Sequence, residues 1–225
     1  ALRFANHSGR GRPFHSLGRN TEQTALNRIP AEFTPMSNRS GTNSALLVVD
    51  VQVGVVANAW ERDRVVNNIA LAVQRARDAG LPVIWVQHND DELKRDSAPW
   101  QWVPELEPKP TDVPIHKSYN SAFEKTELES ELDRLEVSRI FLAGAATNWC
   151  IRATAYGALE RGYDVTLLSD AHTTEDMELE PDRVVEARSM VDELNTAMRW
   201  LSYPDRKNAV APAGEAVFVV GHIAA

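Results

Sequence analysis

The sequence has a single cysteine, Cys150, among 225 residues. One thiol excludes an internal disulfide framework and any zinc site built from several thiolates. Long apolar runs are also missing. Stretches such as Ala45–Val49 and Ile140–Ala146 fall far short of the ~18 residues that a membrane-spanning helix needs. Excess positive charge is absent too. The net charge is −8, which argues against nucleic acid as a partner, since phosphate recognition uses clustered Lys and Arg. Glycine and proline, at 11 and 12 residues, are too few for a collagen-like or wholly disordered chain. What is present is an ordinary globular composition, 43% hydrophobic and 25% charged, of a length that suits one domain or two.

The charge is unevenly spread. Residues 1–40 hold six Arg and two Glu, a segment of +4 that leaves −12 on the remainder. This segment carries no helical or alternating period and lacks the apolar core of a secretory signal. It reads as a disordered leader, with Met36 as the native start and residues 1–35 as non-native sequence; a native basic arm is the alternative. With neither signal nor membrane segment, the expected location is cytoplasmic.

Residues 41–225 read as one α/β domain. Ala45–Asp50 is a continuous apolar run ending in an acid, the mark of a strand buried on both faces. Val66, Ile69, Val73 and Ala76 form one helical stripe, closed by Gly80 at a position that needs a positive φ. Leu81–His88, Val113–Lys117, Arg139–Gly144 and Tyr163–Asp170 follow as strands. Leu128, Leu132 and Leu135 continue a helix from the capping-box spacing of Thr126 to Glu129. Cys150–Arg161 and Arg183–Leu201 are further helices, and Val217–Val220 an additional strand. Such alternation predicts a three-layer α-β-α architecture around a mainly parallel, Rossmann-like sheet of five or six strands.

Ligands of open parallel sheets bind beyond the carboxyl ends of the strands. Asp50, His88, Lys117 and the Gly144–Cys150 turn all stand at such ends, so an acid, a base and a thiol converge on one edge. Cys150 is expected in the first turn of a helix, where free amides and the dipole lower a thiol pKa by ~2.

The segments ALLVVDVQ (45–52), HKSYNSAF (116–123) and AGAATNWCIRATAYGALERGYDVTLLSDA (143–171) resemble the isochorismatase-like cysteine hydrolase superfamily, in the same order and over about residues 44–200. The resemblance implies a catalytic Asp50, Lys117 and Cys150, a cis peptide at Ala145–Ala146, and an oxyanion hole from the N–H groups of Ala146 and Cys150. Gln52 stands where metal-dependent nicotinamidases of that family carry a His, and no His follows before Gln87. The expectation is therefore no metal and no cofactor. Homodimers or homotetramers are likewise implied only by resemblance, because the stripe Met190, Leu194, Met198 and Leu201 reads mostly as internal core.

Two acidic loops flank the expected site. Residues 89–112 hold seven acids against three bases, and residues 170–182 hold six acids and no base. A long segment of this kind reads as a lid or binding loop, and its charge as attraction for a cation. Trp149, Trp100, Trp102, Tyr119 and Gln52 are the candidate substrate contacts, Trp60 a further wall, and Trp85 core. Gln52 also reads as a structural hydrogen-bonder near Asp50. His88, His116 and His172 read as satisfied or rim histidines. The expected activity is cysteine-dependent hydrolysis of a C–N bond in a small amide or lactam, with a cationic, streptothricin-like lactam favoured. Ureide or carbamoyl amides, or isochorismatase chemistry, are alternatives on the same fold. A catalytically silent scaffold with a redox-sensitive Cys150 is the alternative of another class.

Overall fold

Leu46, Leu47, Val48 and Val49 are each fully buried because β1 (Asn43–Val49) lies at the middle of a sheet covered on both faces. Side chains alternate across a strand, so Ala45, Leu47 and Val49 enter one core and Leu46 and Val48 the other. The computed structural model describes residues 39–218, all within one compact unit. The readings of residues 1–38, Met36 as the start included, and of 219–220 fall outside that range. Arg39, placed above in the leader, is anchored to the domain: it donates to the Arg161 carbonyl, pairs with Glu129 and Asp133, and lies over the Tyr163 ring.

In chain order, α1 (Arg62–Asp78), β2 (Val83–His88), β3 (Val113–Lys117), α2 (Leu128–Arg134), β4 (Val137–Ala145), a π-helical turn (Thr147–Ile151), α3 (Arg152–Glu160) and β5 (Asp164–Thr173) follow. A hairpin of β6 (Met177–Glu180) and β7 (Arg183–Val185) precedes α4 (Ala187–Trp200) and β8 (Asn208–Ala211). The main sheet has the order β3-β2-β1-β4-β5-β8, and every pairing in it is parallel. Helix α1 covers one face and α2, α3 and α4 the other. Strand order reverses direction between β1 and β4, and a ligand crevice opens at such a switch point beyond the carboxyl ends.

Local signals account for most boundaries. Helix α1 ends where the Gly80 amide bonds the Arg77 carbonyl and the Leu81 amide bonds Ala76, with Gly80 at φ 74°, the paired closure a glycine permits. Three expectations change. The helix expected from Arg183 starts at Ala187, because Asp182 adopts φ 73°, Arg183–Val185 pairs with β6, and the Asp176 carboxylate caps the Ala187 amide from eleven residues away. The sixth main-sheet strand is β8; of the expected strand 217–220 only Val217 and Phe218 are described, and both lie outside strands, Val217 exposed and Phe218 with its ring on Phe141. The capping box does not form, since Thr126 bonds the Leu128 amide while Glu129 turns away to Arg39 and Arg161. No helix among the described residues is long and apolar enough to cross a membrane. Leu194 and Met198 are buried against the chain's own sheet, and Met190 is buried as well.

Candidate active site

Three carboxyl ends bring the reactive groups together. Asp50 is the first residue after β1 and takes a left-handed conformation, φ 52°, with its amide bonded to the Val86 carbonyl at 2.8 Å. That turn of the chain buries the carboxyl group. Lys117 ends β3 with its side chain completely enclosed, and its Nζ lies 2.6 Å from Asp50 Oδ2. The same ammonium is 3.2 Å from Cys150 Sγ, 3.1 Å from the Tyr119 carbonyl and 3.2 Å from His88 Nδ1. Neither Asp50 oxygen receives a well-aligned hydrogen bond. The ion pair is thus a charge contact that leaves carboxylate lone pairs open to a proton.

Cys150 sits in the turn that follows β4, and the Ala145–Ala146 peptide there is cis. The expected α-helical first turn is instead π-helical: the amides of Trp149 and Ile151 both bond the Ala146 carbonyl at 3.1 Å. Close approach of β4 to β1 sets this turn beside Asp50. Gly144 adopts φ +127°, and a Cβ there would meet the Val49 carbonyl oxygen at 2.0 Å. Behind the turn runs a hydrogen-bond chain of one polarity. Asn195 donates to the Ser169 carbonyl, so its oxygen accepts from His172 Nε2–H at 3.1 Å; His172 Nδ1 then accepts from the Thr147 hydroxyl at 2.9 Å. Burial pushes the His172 pKa down to about 4, which keeps the ring neutral.

The electrostatics correct the expected thiol. Burial, and then the Asp50 charge, push the Cys150 pKa up to about 12 against the pull of Lys117. Asp50 itself is raised by burial, with Lys117 opposing. The thiol is thus neutral beside a desolvated carboxylate that can accept its proton.

Among the candidate contacts, Trp149 and Tyr119 are exposed, at 51% and 38%, and Asn120 Oδ1 lies 4.0 Å from the thiol. Gln52, Trp100 and Trp102 are corrected. Gln52 is fully buried, donating to the carbonyls of His88 and Trp100 and accepting from the His88 amide. Trp100 is buried and stacks on His116, while Trp102 packs edge-on to Trp85 in the α1-side core. Lys117 and His88 follow the parity of Ile115 and Val86, which enter the other core, so these indoles lie across the sheet from the thiol. Residues 89–112 are accordingly a fastened strap rather than a loose lid, with Trp100, Val103 and Leu106 buried. Three of its seven acids are held in ion pairs: Asp90 by His88, Glu105 by Arg62 and Asp112 by Arg77. In the second loop Glu175, Glu178, Glu180 and Asp182 are exposed. That hairpin reaches the turn that holds Cys150 through Asn148, whose amide contacts Met177 Sδ at 3.0 Å.

From the sequence alone His88 is legible only as a strand end and a satisfied or rim histidine, and Asn120 does not stand out. The parity of Ile84, Val86 and His88 was the available signal for His88. Among the described residues, no group of three or more His, Cys, Asp or Glu side chains can hold a metal ion.

The isochorismatase domain of known families matches residues 44–197. A streptothricin hydrolase of Streptomyces noursei is 33% identical over 189 residues, covering 76% of this chain and 68% of that protein. A ureidoacrylate amidohydrolase of Methylobacterium radiotolerans is 29% identical, covering 64% of this chain and 71% of the other. The crystal structure of an isochorismatase from Pseudomonas putida superposes with a TM-score of 0.70 at 26% identity, over 78% of this chain and 91% of that one. From these likenesses and the parallel sheet that carries the site, the chain belongs to the isochorismatase family of hydrolases.

Proposed function

We propose that this protein is a cysteine-dependent hydrolase of a non-peptide C–N bond in a small amide or lactam, without a metal or other cofactor. The observation that carries the reading is the contact of one buried ammonium with both a carboxylate and a thiol, 2.6 Å and 3.2 Å away. In this mechanism Cys150 Sγ attacks the carbonyl carbon while its proton passes to Asp50, the general base. Lys117 Nζ lies against both groups and offsets the negative charge that moves between sulfur and carboxylate. The oxyanion of the tetrahedral intermediate is received by the N–H groups of Ala146 and Cys150, each worth about 3 kcal/mol in such sites. Asp50 returns the proton to the departing nitrogen as the C–N bond breaks, leaving a thioester on Cys150. Water then attacks the thioester carbonyl as Asp50 takes its proton; the C–S bond breaks, the acid product leaves, and Asp50 passes the proton to sulfur, restoring thiol and carboxylate.

For the substrate, a cationic lactam of the streptothricin type is the favoured class. Support comes from the 33% identical relative and from the exposed acids Glu178, Glu180 and Asp182 on the hairpin whose Met177 meets Asn148. Trp149 and Tyr119 supply the aromatic surface. A ureide is the second reading, favoured by the ureidoacrylate amidohydrolase relative.

The test is a panel of cationic lactams, ureides and nicotinamide, hydrolysed by the wild type, Cys150→Ala and Cys150→Ser. Loss of turnover in both variants is the predicted result; wild-type rates in either would end the nucleophile assignment, and no turnover of any panel member by the wild type would favour the silent-scaffold alternative. Neutralising Glu178, Glu180 and Asp182 together should raise KM for a cation, and less so in high salt. An unchanged KM would remove the charge argument.

A further inference from the structure

The ammonium of Lys117 has three N–H groups, and three acceptors surround it besides the Asp50 carboxylate: Cys150 Sγ, the Tyr119 carbonyl and His88 Nδ1. Lys is donor-only, so His88 Nδ1 must present a lone pair. The other ring nitrogen, Nε2, therefore carries the proton, and it lies 3.1 Å from Asp90 Oδ2. Asp90 is itself fixed, because its Oδ1 accepts the amides of Glu92 at 2.9 Å and Leu93 at 2.7 Å. A continuous chain thus runs from the backbone of residues 92–93 through Asp90, His88 and Lys117 to the thiol. We propose that His88, held in one tautomer by Asp90, is a positioning residue that occupies one Lys117 N–H and so aims another at Cys150 Sγ.

The geometry gives the reason such a device is useful. The Asp50 contact is short but poorly aligned, so the carboxylate alone does not fix the rotation of the ammonium about its Cε–Nζ bond. Two neutral acceptors, the Tyr119 carbonyl and His88 Nδ1, fix it, and the third N–H is left for sulfur. Reversal of the imidazole tautomer would set an N–H against the ammonium and swing it from the thiol. The charged groups that act on His88 are Lys117, Asp90 and Asp50. Orienters of this kind fix a ring by the bond its second nitrogen makes.

This inference rests on the proposed role of Cys150, and the experiment separates the two. The probe is iodoacetamide, whose second-order reaction with Cys150 at pH 7.5 reads the stabilisation of developing thiolate without any substrate. Lys117→Met should slow it, and a rate unmoved by that change would fail the functional reading itself. If Lys117→Met slows alkylation, His88→Ala should slow it on the order of tenfold, the worth of one charge-assisted hydrogen bond. His88→Asn, which supplies an amide oxygen near the place of Nδ1, should recover most of the rate. Asp90→Asn keeps the oxygen that caps residues 92–93 but turns a donor toward Nε2, and should slow alkylation while melting close to the wild type. Nitrogen-15 spectra of the imidazole at pH 8.5 should show His88 as the Nε2–H tautomer in the wild type and not in Asp90→Asn. A rate in His88→Ala equal to wild type, His88→Asn as slow as His88→Ala, or an Nδ1–H tautomer in the wild type overturns the proposal while leaving the nucleophile assignment intact.

Discussion

Replacing Lys117 with Met keeps the length of the side chain and removes its charge. In the wild type that charge lies 2.6 Å from a carboxylate with 1% exposure. Neither Asp50 oxygen has a well-aligned hydrogen bond to fall back on. Removing one partner of a buried pair costs roughly 3–5 kcal/mol, because the remaining charge is stranded. For a domain of this size each kcal/mol lowers the melting temperature by ~2–4 °C, so the variant should melt about 6–20 °C lower at neutral pH. The pH dependence gives the sharper signature. Burial already raises Asp50 against the opposing Lys117, and without the ammonium the folded-state pKa rises further above the unfolded value near ~3.9. A carboxyl raised on folding contributes stability that is complete below its unfolded pKa and lost as pH climbs through the folded one. The deficit of Lys117→Met relative to wild type should therefore be small at pH 5 and large at pH 8, read by thermal melts in matched buffers. Equal deficits at the two pH values, or melting temperatures unchanged at both, would refute the reasoning.

The other predictions concern the scaffold of the site. His172 is fully buried with its pKa down at about 4, so its contribution is present above ~6.5 and lost as pH falls toward 4, a total of roughly 3 kcal/mol. Wild-type stability in urea should drop across that window, and His172→Asn should drop much less; parallel curves would contradict the chain from Asn195 to Thr147. Gly144→Ala forces a Cβ to 2.0 Å from the Val49 carbonyl oxygen at φ +127°, and should cost more than ~3 kcal/mol or abolish soluble expression; a wild-type melt would show that β1 and β4 separate easily. Trp100→Ala should cost about 3–5 kcal/mol as a core truncation, whereas Trp149→Ala, at a half-exposed position, should leave the melt alone and raise KM. The reverse pattern in melts and kinetics would restore Trp100 to the binding surface.

The sequence was most informative where the physics is local. The run Ala45–Val49, the stripe of α1 and the closure at Gly80 each announce themselves within a few residues, and the three strand ends at Asp50, Lys117 and Cys150 follow from counting strands. What was hidden depends on partners far along the chain. The start of α4 is capped by Asp176 from outside the helix, and Arg183–Val185 is a strand because β6 lies beside it. Helical spacing of apolar residues said nothing of either. The side on which Trp100 and Trp102 fall is fixed by Gln52 and Gln87 holding the Trp100 carbonyl at 2.8 Å each. That is a buried tertiary bond, invisible in a loop rich in Pro and acid. Likewise the motif around Cys150 suggested an acidified thiol, but burial beside Asp50 acts in the opposite direction.

The most direct measurement of the central claim is the mass of the protein during turnover. With the amide of the panel that reacts fastest, acid quenching of the wild type should yield a species heavier by the acyl group. Hydroxylamine should release that group, and peptide mapping should place it on Cys150; Cys150→Ser should give no such thioester. Full turnover by the wild type with no adduct at any quench time, together with hydrolysis by Cys150→Ala at an undiminished rate, would contradict the account.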